Sequence, residues 1–91
     1  MALVGHDASA RLGDQLSRAQ VSESRVTRLL TARGDAFRQQ IPRVLRLMAS
    51  RSVAPNWREL GGLILATDQD EERAETQRLR IAGQYYASAA R

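Results

Sequence analysis

Apolar residues recur along most of the chain at intervals of three and four, and β-branched runs with period two are absent, so the pattern predicts helices throughout. The first covers roughly residues 8 to 19, with Leu12 and Leu16 one turn apart and Ala8 and Ala19 nearby, a narrow stripe. A second begins near Ser22, whose hydroxyl suits an N-cap, and puts Val26, Leu29 and Leu30 on one face before Arg33-Gly34 stops it. The third has the strongest amphipathic signal: with Asp35 as its cap, Phe37, Ile41, Val44, Leu45 and Met48 recur at helical spacing. Pro42 lies inside it, removes an amide donor and crowds the preceding turn, so a kink or a fresh helix start is expected there.

Ser50 to Pro55 reads as a loop, and Asn56 with Glu59 three residues later has capping-box character for a fourth helix holding Trp57, Leu60, Leu63, Ile64 and Leu65. An interior glycine costs about 1 kcal/mol relative to alanine, so Gly61-Gly62 is expected to serve close packing of backbone against a neighbour. After an acidic turn, Thr67 to Asp70, a fifth helix runs to about Ala89 with Ala74, Leu79, Ile81, Ala82, Tyr85 and Tyr86; Asp70, Glu71 and Glu72 suit its positive end. Connections of two to six residues favour antiparallel neighbours. The expected fold class is all-α, a compact bundle of four or five helices, with residues 1–7 as a disordered tail and 8–91 as a single domain.

Composition narrows the function classes. Ninety-one residues, 43% hydrophobic, suffice for one core. With no cysteine there is no disulfide framework, thiol nucleophile or Cys-based zinc site, which fits a reducing compartment. The start lacks a basic segment followed by a long apolar run, and no stretch of about 18 apolar residues occurs, so a soluble, cytoplasmic protein is expected.

Net charge is +4, and all 14 basic residues are arginine. Arginine's planar fork suits phosphate oxygens, although a GC-rich genome favours the same codons. Distribution says more than the total. Between Arg11 and Arg58 ten arginines face only Asp14, Glu23 and Asp35, whereas from Glu59 onward six acids outnumber four arginines. A basic face built by the first two thirds of the chain follows, with a near-neutral or acidic C-terminal element.

Catalytic chemistry finds little support. His6 is the only histidine and lies in the expected tail, without acidic partners at metal-ligand spacing. Asp68, Asp70, Glu71, Glu72 and Glu75 form a charge run around a helix start, a capping and solvating arrangement. Neither a phosphate loop nor a nucleophile elbow is present. Trp57, Tyr85 and Tyr86 have the rings to stack on bases, but their helical context favours packing, with a tyrosine hydroxyl at the rim. No cofactor, metal or small-molecule substrate is implied.

The arginines carry the functional reading. At about 100° per residue, Phe37, Ile41, Val44 and Met48 cluster on one side of the third helix while Arg43 and Arg46 point away with Gln39. Arg25 and Arg28 are neighbours beside the stripe of the second helix, flanked by Arg18 and Arg33. Four or five guanidinium groups can therefore line a groove between antiparallel second and third helices. Such a groove suits a phosphate backbone, giving sequence-independent, salt-dependent binding. An ordinary solvated arginine face and a site for an acidic protein remain open on this pattern alone.

In succession, LGDQL, VSESRVTRLLTARGDAF, QIPRVLRLMAS, NWRELGGLIL and AGQYY, from Leu12 to Tyr86, resemble the small subunit of type I-E CRISPR Cascade, the CasB family. The similarity is to the C-terminal half of that family, whose members carry an additional N-terminal helical domain. A chain without that domain is expected to leave an apolar surface for self-association or docking. The resemblance implies a helical, non-catalytic subunit of an RNA-guided surveillance complex in antiviral defence. Its partners would be other Cascade subunits, a second copy of itself, guide RNA and target DNA, and it would stabilise the R-loop and the displaced strand. Arg25 and Arg43 fall where the family pattern places its more important basic residues; Arg28, Arg46, Arg18 and Arg33 rest on the face argument. Two other readings fit a basic helical chain: a helix-turn-helix regulator, against which Pro42 in the reading helix counts, and an arginine-faced protein-interaction bundle.

Overall fold

Side-chain caps and turns decide where the helices start. The computed structural model describes residues 6–90, and among them five helices follow one another: α1 (Leu12–Arg18), α2 (Glu23–Thr31), α3 (Asp35–Ser50), α4 (Trp57–Gln69) and α5 (Glu71–Ala89). The all-α expectation holds. Of the expected tail over residues 1–7, residues 1–5 lie outside the described residues. His6 and Asp7 sit against the start of α4: the Trp57 amide donates to His6 Nδ1 at 3.1 Å, and the Asp7 amide to the Pro55 carbonyl at 3.0 Å.

Several boundaries differ from the sequence pattern. Helix α1 begins at Leu12 rather than at residue 8, because Asp7 Oδ1 accepts from the amide (2.8 Å) and hydroxyl of Ser9, a local turn that competes with helix. Ser22 caps α2 as expected, its hydroxyl accepting from the Arg25 amide. The N-cap of α3 is Gly34, at a φ of 59° that favours glycine, and Asp35 is the first helical residue. Helix α3 runs through Pro42 without a fresh start. The amide bond that proline cannot make would have gone to the Arg38 carbonyl, and both residues lie on the exposed side. The expected turn at Thr67 to Asp70 shrinks to Asp70 alone. Its amide closes α4 on the Ala66 carbonyl (2.8 Å), and its carboxylate opens α5 by accepting from the Arg73 amide (3.1 Å).

Caps also tie helices together. Asn56 Oδ1 accepts from the amides of Arg58 and Glu59, the expected N-cap of α4. Glu59 does not close a capping box, however: Glu59 Oε1 accepts from the Leu12 amide at 2.8 Å and so caps α1. The Asn56 amide is taken by Gln15 Oε1 at 2.6 Å, while Gln15 Nε2 donates to the Asp7 carbonyl. Gln15 is buried, and this pairing removes most of the cost of burying its amide.

Leu12, Leu16, Val26, Leu29, Phe37, Val44, Met48, Leu60, Leu63, Ile81 and Tyr85 form one core, with Trp57 and Ile41 packed at its edge. The tightest helix pair is α1 against α5, where Gly13 lets the backbones meet: a Cβ there would collide with Gln84 Cβ and the Ile81 carbonyl, and stand 2.8 Å from the Tyr85 amide nitrogen. The close approach expected at Gly61-Gly62 is thus found at Gly13; Gly61 has open space and Gly62 meets only the end of the Gln77 side chain.

Two leucines expected in the core are exposed. Leu65 is 60% and Leu79 67% exposed, and with Tyr86 (47%) they are the large apolar side chains at the surface among the described residues. Residues 63, 64 and 65 span about 200° of a helix, so they cannot share one face. On α5 the buried stripe runs through Ala74, Arg78, Ile81 and Tyr85, and Leu79 is turned about 100° out of it.

Arg78 is the unexpected member of that stripe. Its side chain is 5% exposed, with Glu71 Oε1 at 2.7 Å and Glu75 Oε1 at 3.2 Å. The hydrogen bond from Arg78 is the main reason that Glu71 is held below the usual carboxylate range, and the same bond raises Arg78. A carboxylate with a depressed folded-state pKa contributes stability above its unfolded pKa and loses it as pH falls through the folded value. The thermal midpoint should therefore drop on acidification below about pH 4. In Glu71→Gln the drop should be shallower, although Asp7, also lowered by its Ser9 hydrogen bonds, leaves some acid dependence. Melting followed by circular dichroism from pH 7 downward checks this; parallel curves for the two proteins would contradict it.

Candidate nucleic-acid interface

Helices α2 and α3 form an antiparallel hairpin closed by Ala32, Arg33 and Gly34. Each buries its apolar stripe, Val26, Leu29 and Leu30 on one and Phe37, Val44 and Met48 on the other, which turns the intervening arginines outward. Near the open end Arg25, Arg43, Arg46, Leu47 and Ser50 line a surface depression of about 430 Å³. On α3, residues 43, 46, 47 and 50 occupy about 100° of one flank, and Arg25 approaches that flank from α2. Ser50 contributes its hydroxyl, which donates to the Leu47 carbonyl at 2.7 Å and retains its acceptor capacity.

The depression has no acidic lining. Among the described residues, the side chains of Arg25, Arg43 and Arg46 make no hydrogen bond or ion pair, and all three are exposed. Three guanidinium groups with open donor positions, on two rigid helices and beside one apolar side chain, can bind an extended polyanion by charge and bidentate hydrogen bonds. Neither an aromatic ring nor a set of base-reading amides lines the depression, so it has no means of telling one base from another.

The other candidate arginines lie elsewhere. Arg28 is exposed one turn along from Arg25, rotated by about 60° and outside the depression. Arg33 folds back over the end of α2, donating to the carbonyls of Leu30, Thr31 and Ala32, with Glu71 at 3.7 Å. Arg18 ends α1 and is exposed. Arg38 is held by Asp35 (3.2 Å) and Asp68 (3.1 Å). Asp35, Asp68, Glu71 and Glu75 thus lie at or near the α2–α3 and α4–α5 connections and neutralise Arg33, Arg38 and Arg78, while Arg25, Arg43 and Arg46 keep the depression at the open end of the hairpin positive.

The aromatic residues divide as packing predicts. Trp57 packs at the core edge. Tyr85 is buried, and its hydroxyl donates to the Val21 carbonyl at 2.6 Å instead of reaching the rim; Tyr86 supplies the rim hydroxyl, donating to Glu23 Oε1 at 2.9 Å. Among the described residues no group of three or more His, Cys, Asp or Glu is placed to hold a metal ion, and no helix is long and apolar enough to cross a membrane.

The family model of CRISPR-associated protein Cse2 matches residues 2–86 of this chain. No curated protein and no solved structure matches it.

Proposed function

The chain belongs to the CRISPR-associated protein Cse2 family, the non-catalytic small subunits of the CRISPR Cascade complex, and on that premise we propose that its α2–α3 groove binds a nucleic-acid backbone and stabilises the R-loop. The observation that carries this is the convergence of Arg25, Arg43 and Arg46 on one depression without an acidic partner among the described residues. In an RNA-guided complex, sequence is read by base pairing between guide and target. A subunit that grips phosphates without reading bases then adds lifetime to the open state at any sequence.

Arg25 and Arg43 are the main contacts in this reading. Arg46 completes the groove; Arg28 lies exposed one turn along α2 but outside it, Arg18 lies at the end of α1, and Arg33 is occupied at the closed end of the hairpin. The ligand is a strand of the R-loop, the displaced DNA strand first among them, within a complex that also holds guide RNA and a second copy of this chain. A helix-turn-helix reading needs the first turns of α3 free to enter a groove, and there Arg38 is tied to Asp35 and Asp68.

The test is the lifetime of the R-loop. Cascade assembled with the Arg25→Ala/Arg43→Ala/Arg46→Ala variant should retain its subunit composition and guide RNA but release target DNA faster. Its displaced strand should also become more accessible to a single-strand nuclease. Equal lifetimes and equal protection would overturn the proposal.

A further inference from the structure

How the groove is held in shape is a separate matter from what it binds. The apolar stripes of α2 and α3 pack into the common core with Leu12, Leu16 and Leu60, and α2 also meets α5, so the contact between α2 and α5 is one of those that place the hairpin. At the closed end, ion pairs from Arg33 to Glu71 and from Arg38 to Asp68 tie the hairpin to the acidic connection. Near the open end, where Arg25 lies, the ties are two successive residues of α5.

Tyr85 donates its hydroxyl to the Val21 carbonyl at 2.6 Å, in a buried bond between residues 64 positions apart. Tyr86 donates to Glu23 Oε1 at 2.9 Å. Val21 and Glu23 flank Ser22, whose hydroxyl accepts from the Arg25 amide. The two tyrosine rings meet edge to face, with centroids 5.5 Å apart, and so restrict one another. The first turn of α2, which contains Arg25, is therefore held on both sides of its cap. The bond to Tyr86 also keeps Glu23, the one carboxylate of α2, on the α5 side, about 160° around the helix from Arg25.

We propose that Tyr85 and Tyr86 act as a clamp on the start of α2 that positions Arg25 opposite Arg43 and Arg46. The proposal rests on the groove being the backbone-binding site. The two tyrosines are positioning residues: they touch no ligand and act through Arg25. Loss of either hydroxyl lets the start of α2 shift, so that phosphates spaced to meet three guanidinium groups meet only the two on α3.

Tyr86→Phe is the primary variant, because it removes one hydroxyl from an exposed ring and leaves the core intact. Tyr85→Phe is the second, and it also lowers stability by leaving the Val21 carbonyl without its donor. Binding is measured for the full chain at low salt, with a fluorescein-labelled single-stranded DNA of mixed sequence, for wild type, Tyr86→Phe, Arg25→Ala and the double variant. Tyr86→Phe should weaken binding about threefold, the range expected for loss of one exposed hydrogen bond. In the Arg25→Ala background the same substitution should have no further effect, because the residue through which it acts is gone.

The outcomes separate the two proposals. If Arg25→Ala weakens binding and Tyr86→Phe does not, the clamp is overturned and the groove stands. If the effects are additive, Tyr86 acts by another route and the clamp is again overturned. If Arg25→Ala itself binds normally, the groove fails and the clamp with it.

Discussion

Gly13→Ala is expected to lower the thermal midpoint by more than about 12 °C, as a misfit costing about 3 kcal/mol at about 4 °C per kcal/mol. Alanine is the better helix former, so propensity alone predicts a gain. The new Cβ would collide with the Ile81 carbonyl and Gln84 Cβ and come within 2.8 Å of the Tyr85 nitrogen. Two of these three obstacles are backbone, which cannot rotate away, so α1 must move off α5. That movement also strains the 3.1 Å bond from the Gly13 amide to Gln84 Oε1 and the contact between Leu12 and Glu59. Gly61→Ala is the counterpart. Nothing stands within 4 Å of a Cβ there, and α4 should gain about 0.5–1 kcal/mol. Thermal melts of the two variants should move in opposite directions; a shift of the same sign in both would show that the α1–α5 contact is not the constraint described.

The contrast between the two glycines shows what the sequence holds and what it hides. Local signals were legible: Ser22 and Asn56 as caps, the stripe of α3, the outward course of Arg43 and Arg46, and the arrest of α2 at Arg33-Gly34 each depend on residues within a few positions of one another. Gly13 carries no such signal, because the residues that require it lie about 70 positions away. Glu59 has the spacing of a capping box, yet it serves the Leu12 amide 47 residues distant, since Gln15 already satisfies the Asn56 amide. Gln15 and Arg78 read as surface residues from polarity alone. They are buried because partners from other elements or neighbouring turns satisfy them, and the displacement of Leu79 follows from Arg78 taking its place in the stripe. Of the candidate arginines, the pattern identified the outward set but not its division. Which are neutralised depends on where Glu71, Asp35 and Asp68 arrive, and the carboxylates on α4 and α5 are set by tertiary packing.

That division allows the site to be separated from net charge. Arg25→Ala/Arg43→Ala/Arg46→Ala should weaken binding of single-stranded DNA by about 10–100-fold, taking about 0.5–1 kcal/mol for each exposed charge contact. A loss of that size would also follow from any drop of three in a net charge of +4, so affinity at one salt concentration does not decide the matter. The salt dependence does. Each phosphate neutralised on a single strand contributes a slope of about 0.7 in the logarithm of affinity against that of salt, so losing three contacts should flatten the plot by about 2. Arg58→Ala/Arg73→Ala/Arg80→Ala removes the same charge from exposed positions outside the groove, Arg58 lying on α4 and Arg73 and Arg80 on α5. This control should keep a slope near that of the unmodified chain, because diffuse attraction weakens without any bound phosphate being released. Titrations by fluorescence anisotropy across a salt series give both slopes. Equal flattening in the two variants would mean that the strand is held by the whole charged surface, and that the convergence of Arg25, Arg43 and Arg46 does not define a site.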